Sequence, residues 1–226
     1  IGLFVVEQKD GNQIPLQISG NWANNVPTSL TADGWIPEKK IFWSENIVDV
    51  YGYYPYMSLS SVDEQPFAIA LDQTTETTAE GLGGLEVSDF LWAKTAGAEQ
   101  SQETVALQFR HCMSKFVVKL VKGPDYEGDF PENANMYLHN TVTTAHLDLV
   151  NGVAVKNMFG DTETVKMQRV DDGTYQAVVV PQRVDSRRPF IELIANGVSY
   201  LLESTFVFRA GKIHTIQVVT ALVNLG

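Results

Sequence analysis

A single cysteine, Cys112, stands in a chain of 226 residues. One thiol excludes an internal disulfide and every metal framework built on several cysteines. Basic residues are also scarce: 16 Lys and Arg stand against 27 Asp and Glu, for a formal net charge of −11. Nucleic-acid binding needs a concentrated Lys/Arg face. The nearest approach to one, Arg183, Arg187 and Arg188, reads as a solvated loop. No apolar run reaches the roughly 18 residues of a membrane-spanning helix. No signal peptide is evident, and the chain starts at Ile1 rather than Met, in an apolar strand, as expected of a mature or trimmed form. No convincing amphipathic helical period is found either, which points away from helical and mixed folds.

What the chain does have is short strands. The hydrophobic share of 44% is enough for real cores. Asn151-Gly152, Asp171-Asp172-Gly173 and Asn196-Gly197 each separate two strand-like runs, because hairpin turns need residues that tolerate positive φ. The pattern predicts an all-β chain of two sandwiches. Acidic side chains outnumber basic ones 14 to 4 over residues 1–102 but only 13 to 12 over 103–226. The expected division is therefore an N-terminal β-sandwich domain at 1–102 and a C-terminal one at 103–226. Within the first of these, residues 72–89 read as an exposed polar loop.

The stretch Val105 to Val121 carries a change of phase. Its apolar residues fall first on odd numbers (Val105, Leu107, Phe109, Met113) and then on even ones (Phe116, Val118, Leu120). A one-residue shift turns every side chain to the other face, so a bulge or break is expected between His111 and Lys115.

Candidates for chemistry are few. No two of His111, His139, His146 and His214 show the i, i+2 spacing of paired ligands on one strand face. His139 and His146 could meet only across a hairpin, and structural or surface histidines are the preferred reading. Gly197-Val198-Ser199-Tyr200-Leu201 lacks the closing glycine of a nucleophile elbow. Asp125, Glu127 and Asp129 lack the regular ligand series of a calcium loop. No catalytic residue, metal or cofactor is assigned. Trp43, Tyr51 and Tyr53 belong to an aromatic-rich stretch that could form a carbohydrate platform, although core packing is preferred.

Taken together, IGLFVV at 1–6, IFW at 41–43, VDVYGYYPY at 48–56, DFLWAK at 89–94, LQFRHCMSKFVVKL at 107–120, VVVPQ at 178–182 and FRAGKIHTIQV at 208–218 resemble the fimbrillin family, the subunits of type V pili. The resemblance implies two transthyretin-like β-sandwich domains in tandem, in a non-enzymatic fimbrial subunit or adhesin component. It further implies a lipoprotein-type precursor, a place at the cell surface in a fimbrium or at the outer membrane, and other fimbrial subunits as partners. Host or bacterial surface ligands are further candidate partners. Such subunits would join by strand donation, in which an open sheet edge gains a ladder of main-chain hydrogen bonds. Terminal strands can be exchanged without rethreading the fold. The apolar residues of Ile1–Val6 and Ile213–Val223 are therefore the expected borders of the groove, with Leu3, Val5, Ile216 and Val218 as the named residues.

Overall fold

Alternating apolar and polar runs become nineteen strands and one short helix among the described residues, which in this computed structural model are 1–42, 47–101, 104–185 and 188–220. The first half holds β1 (Gly2–Glu7), β2 (Ala23–Thr31), β3 (Gly34–Pro37), β4 (Val48–Tyr54), β5 (Gln65–Ala68), α1 (Gly84–Ser88), β6 (Leu91–Ala98) and β7 (Arg110–His111). Next come β8 (Ser114–Lys122), β9 (Asn135–Val142), β10 (Thr144–Asp148), β11 (Val153–Lys156), β12 (Thr162–Lys166) and β13 (Gln168–Asp171). The last six are β14 (Thr174–Val179), β15 (Gln182–Val184), β16 (Pro189–Ala195), β17 (Val198–Glu203), β18 (Phe206–Phe208) and β19 (Ile213–Thr220).

These elements fall into two units, each assembled from separate segments. The first comprises Ile1–Phe67, Asp89–Cys112 and His146–Val155; the second comprises Ala68–Ser88, Met113–Ala145 and the chain from Lys156 on. Residues 68–88, 104–112 and 146–155 thus lie on the other side of the division expected at 102/103, and that boundary itself lies outside the described residues. Sequence distance misleads here because each unit recruits strands from several places along the chain.

The first unit is organised on a six-stranded sheet of order β3-β2-β1-β4-β6-β7. Its central strand β4 is buried on both faces. Val48 and Val50 pack with Val5, Val26 and Ala98 on one side, against Leu107. On the other, Tyr51 and Tyr53 are buried. At Gly52 a Cβ would lie 2.9 Å from the Phe109 ring and 3.0 Å from Leu107 Cδ1, so the glycine lets both side chains approach the strand closely. The odd-numbered phase of the 105–121 stretch therefore serves this unit, through Leu107 and Phe109. Cys112 ends the unit's second segment, and Met113 opens the next segment of the second unit. There Phe116 and Val118 are fully buried. The phase change is the passage of the chain from one core to another.

The second unit has two four-stranded sheets, of order β12-β9-β16-β17 and β13-β14-β8-β19. Phe116 of β8 meets Phe190 of β16 at 5.6 Å between ring centroids, so the two sheets share a core. β12 and β13 are joined by the buried Met167, which carries the chain from one sheet to the other and closes that side. On the remaining side both sheets end in an edge strand, β17 and β19.

Buried strand segments that lack a neighbouring strand use side chains instead. β13 does not reach Val178 of β14. The fully buried Gln73 amide donates to the Val178 carbonyl (2.8 Å) and accepts from its N–H (2.7 Å), as a strand residue would. Gln182 does the same for Val142, at 2.8 and 2.9 Å. The segment 72–89 was expected as an exposed loop. It is instead pinned into the core by Gln73 and contains α1. Turn expectations also divide. Asn196-Gly197 has positive φ at both residues, as a type I′ hairpin requires. Asn151-Gly152 closes a longer loop, because the Asp148 carboxylate accepts the Val150 and Asn151 N–H groups and draws two more residues into the turn.

Gln73→Leu would leave the N–H and C=O of Val178 buried without partners, at about 1–3 kcal/mol for each group. Urea unfolding is expected to show a loss of about 2–5 kcal/mol for this substitution, against near-zero change for the exposed Gln217→Leu.

Candidate functional site

The polar clusters settle into structural roles. His111 is exposed, with Nδ1 2.8 Å from Asp89 Oδ2. Cys112 is buried; its thiol donates to the Gly152 carbonyl at 3.2 Å, and burial pushes its pKa up to about 11. A thiol so protected is a poor nucleophile. His139 has both ring nitrogens engaged, Nδ1 by Thr164 Oγ1 at 2.8 Å and Nε2 by Glu192 Oε2 at 2.9 Å. Ser199 Oγ donates to the other Glu192 oxygen at 2.5 Å. The order Ser–Glu–His–Thr across four strands places the carboxylate between hydroxyl and imidazole, so the imidazole cannot take the serine proton. Among the described residues no group of His, Cys, Asp and Glu could hold a metal ion.

Tyr51 and Tyr53, the described residues of the alternative aromatic platform, lie in the core, the reading preferred for them. Tyr51 is 4% and Tyr53 1% exposed, so neither offers a ring face to a sugar. The Tyr53 hydroxyl sits 2.5 Å from Asn25 Oδ1 and 2.9 Å from the Met57 carbonyl, and burial pushes its pKa up to about 12. The two side chains were drawn in because β4 is covered on both faces. Trp43 lies outside the described residues.

The expected strand-border residues are divided. Leu3 and Val5 lie in β1, which is hydrogen-bonded to β2 on one side and β4 on the other. Ile216 and Val218 lie in β19, an edge strand paired in parallel with β8 on its inner side. Between the β17 and β19 edges of the second unit runs an apolar groove of about 610 Å³. Leu120, Met136, Leu193, Tyr200, Leu202 and Val218 are among its lining residues. Tyr126 and Phe130, from the loop between β8 and β9, stand at one end, beside the Asn196 turn.

Burial falls off toward this groove. Val118 and Leu138, on the central strands, are fully buried, whereas Tyr200 and Leu202 remain 44% and 39% exposed although they line the groove. Among the described residues no strand pairs with the outer edge of β17 or of β19. Charge distribution follows the same division. On the opposite side of the unit, β12 carries Glu163 and Lys166, and β13 carries Arg169 and Asp171. Charges of this kind protect an edge from pairing with a foreign strand. β17 has only Glu203 at its last position, and β19 has no Asp, Glu, Lys or Arg. The two unprotected edges of these sheets are the two that border the groove. Sequence reasoning found β19 through its terminal place; it missed β17, whose role follows only from the sheet order.

A family model described as fimbrillin-like matches residues 1–223. Among solved structures, the chain is similar to a protein of Bacteroides ovatus named as a candidate cell adhesion protein, with 16% identity, a TM-score of 0.72, and coverage of 96% of this chain and 81% of that one. A similarly named protein of Bacteroides uniformis gives 16% identity and a TM-score of 0.67, over 96% and 86% of the two chains. A fimbrial protein of Bacteroides ovatus gives 18% identity and a TM-score of 0.54, over 98% and 45%. At these identities the likeness is one of fold. No curated protein sequence matches.

The Glu192 cluster gives a test of its own. The hydrogen bond from Ser199, and then that to His139, hold the Glu192 carboxyl below the ordinary 4.5. A carboxyl lowered on folding stabilises the fold above its unfolded pKa, and that contribution is lost as pH falls through the folded value. Glu192→Gln is expected to lower stability at neutral pH and to reduce the further loss on acidification below pH 4.5, read by thermal melts across that range.

Proposed function

Because this chain belongs to the fimbrillin-like family, we propose that it is a non-enzymatic fimbrial subunit or adhesin component that joins other subunits by accepting or donating a β-strand. The observation that carries the reading is the open groove of the second unit, flanked by two almost uncharged strands whose outer edges pair with no strand among the described residues. An extended segment laid there would gain main-chain hydrogen bonds from an edge and bury alternate side chains on the groove floor. The similarity in fold to proteins named for cell adhesion and fimbriae agrees with this direction.

Within the proposal, each unit is a transthyretin-like β-sandwich domain, with the segments of the two interleaved along the chain rather than in tandem. The working location is the cell surface, in a fimbrium or at the outer membrane, reached through a lipoprotein-type precursor. The partners are other fimbrial subunits. Val218 lines the accepting groove, and Ile216 lies on the same strand outside that lining. Leu3 and Val5 enter differently: their strand is already paired on both sides, so it would have to leave before another took its place.

Val218→Asp would set an unpaired carboxylate on the groove wall, where the penalty falls on a docked strand more than on the free chain. The expected result is at least a tenfold weaker association with partner subunits, about 1.4 kcal/mol or more, with the circular dichroism spectrum unchanged. Size-exclusion chromatography of mixed subunits would measure it. Unchanged association would remove this groove from the contact.

A further inference from the structure

The groove is open along only part of the space between β17 and β19. After Glu203 comes β18, whose Phe206 touches aromatic residues of β8, β16 and β19 near the start of β19. Its ring stacks on Phe190 at 5.4 Å and meets Phe116 at 5.2 Å. The His214 ring of β19 stands edge-on to Phe206 at 5.5 Å. His214 is held there because its Nε2 accepts the Arg209 N–H at 3.1 Å. None of Phe190, Phe206 and His214 lines the groove, whereas Val198 and Leu202 on one edge and Val218 and Thr220 on the other do.

Resting on the strand-accepting reading above, we infer that this groove takes an uncharged extended peptide segment of about five residues, and that Phe206, braced by His214, is the stop that sets this length. The open edge of β17 runs from Val198 to Leu202, about 14 Å at some 3.4 Å per residue. A five-residue strand presents three side chains to one face, since successive residues alternate. The matching lining positions are Val198, Tyr200 and Leu202 on one wall, and Val218 and Thr220 on the other. None of these five is charged, which sets the charge of the occupant by complementarity: a buried Lys or Asp on the incoming segment would find no counter-ion. The unpaired main chain along the edges selects a peptide over a purely apolar small molecule, which would leave those N–H and C=O groups without partners. A longer segment would have to displace the Phe206 ring from an aromatic cluster in which Phe116 and Phe190 are fully buried.

The test uses the full chain and capped, fluorescein-labelled peptides of three, five, seven and nine residues, in which Val alternates with Thr, each with a soluble Gly-Ser tail. Fluorescence anisotropy is expected to show affinity rising about tenfold from three to five residues and less than about threefold from five to nine. Phe206→Ala should move the plateau to seven residues or beyond, and Phe206→Leu, which keeps more of the core filled, should move it in the same direction. A wild-type affinity that keeps climbing about tenfold for each added pair, or a plateau that stays at five in both variants, overturns the length limit while leaving strand acceptance standing. Failure of every peptide to bind overturns strand acceptance and the limit with it. Tight binding of laurate where no peptide binds would make the groove an acyl-chain site, and would likewise overturn the inference.

Discussion

A main-chain N–H or C=O taken out of water must find a partner, and the second unit is best understood through where its strands find theirs. Where β13 stops short of Val178, the Gln73 amide completes the pairing; where Val142 lacks a neighbour, Gln182 does so. Where the two sheets meet at Met167, the chain itself closes the side. At β17 and β19, among the described residues, the pairing stops with the apolar groove between them. The groove, the burial gradient leading to it and the lack of protective charge on its borders are consequences of that one incomplete closure.

The same constraint explains why the groove would favour a peptide. A cavity lined only by side chains would suit any apolar body of the right size. Here the walls are strand edges, whose evenly spaced donors and acceptors match another extended chain. The aromatic cluster of Phe116, Phe190 and Phe206 then limits how far that match extends. Core packing and recognition share the same residues at that end of the groove, so the two cannot vary independently.

Much of this was legible before the fold was known. Alternation identified β4, β8 and β19, and Asn196-Gly197 announced the hairpin that joins β16 to β17. The phase change between Phe109 and Phe116 was visible as a break; that it marks a passage between two cores was not, because periodicity reports a face and never says which core that face meets. Tyr51 and Tyr53 show the same limit. Their spacing put them on one side of a strand, but their burial depends on what the rest of the chain lays over them. Gln73 lay in a polar stretch with no period, and its role depends on Val178, 105 residues away.

By itself the sequence determined the class of the protein: strands and turns through local alternation and positive-φ residues, no membrane-spanning helix, no cysteine-based framework, and a resemblance carried by short motifs along nearly the whole chain. It also determined β19 as a terminal, uncharged strand. Tertiary structure alone decided that β19 is an edge, that β17 is its counterpart across the groove, and that Phe206 packs with Phe116, Phe190 and His214. The reason is physical. Alternation and turn chemistry act over a few neighbouring residues, whereas an edge is defined by the strand that does not arrive, and that depends on how every other segment has already been paired.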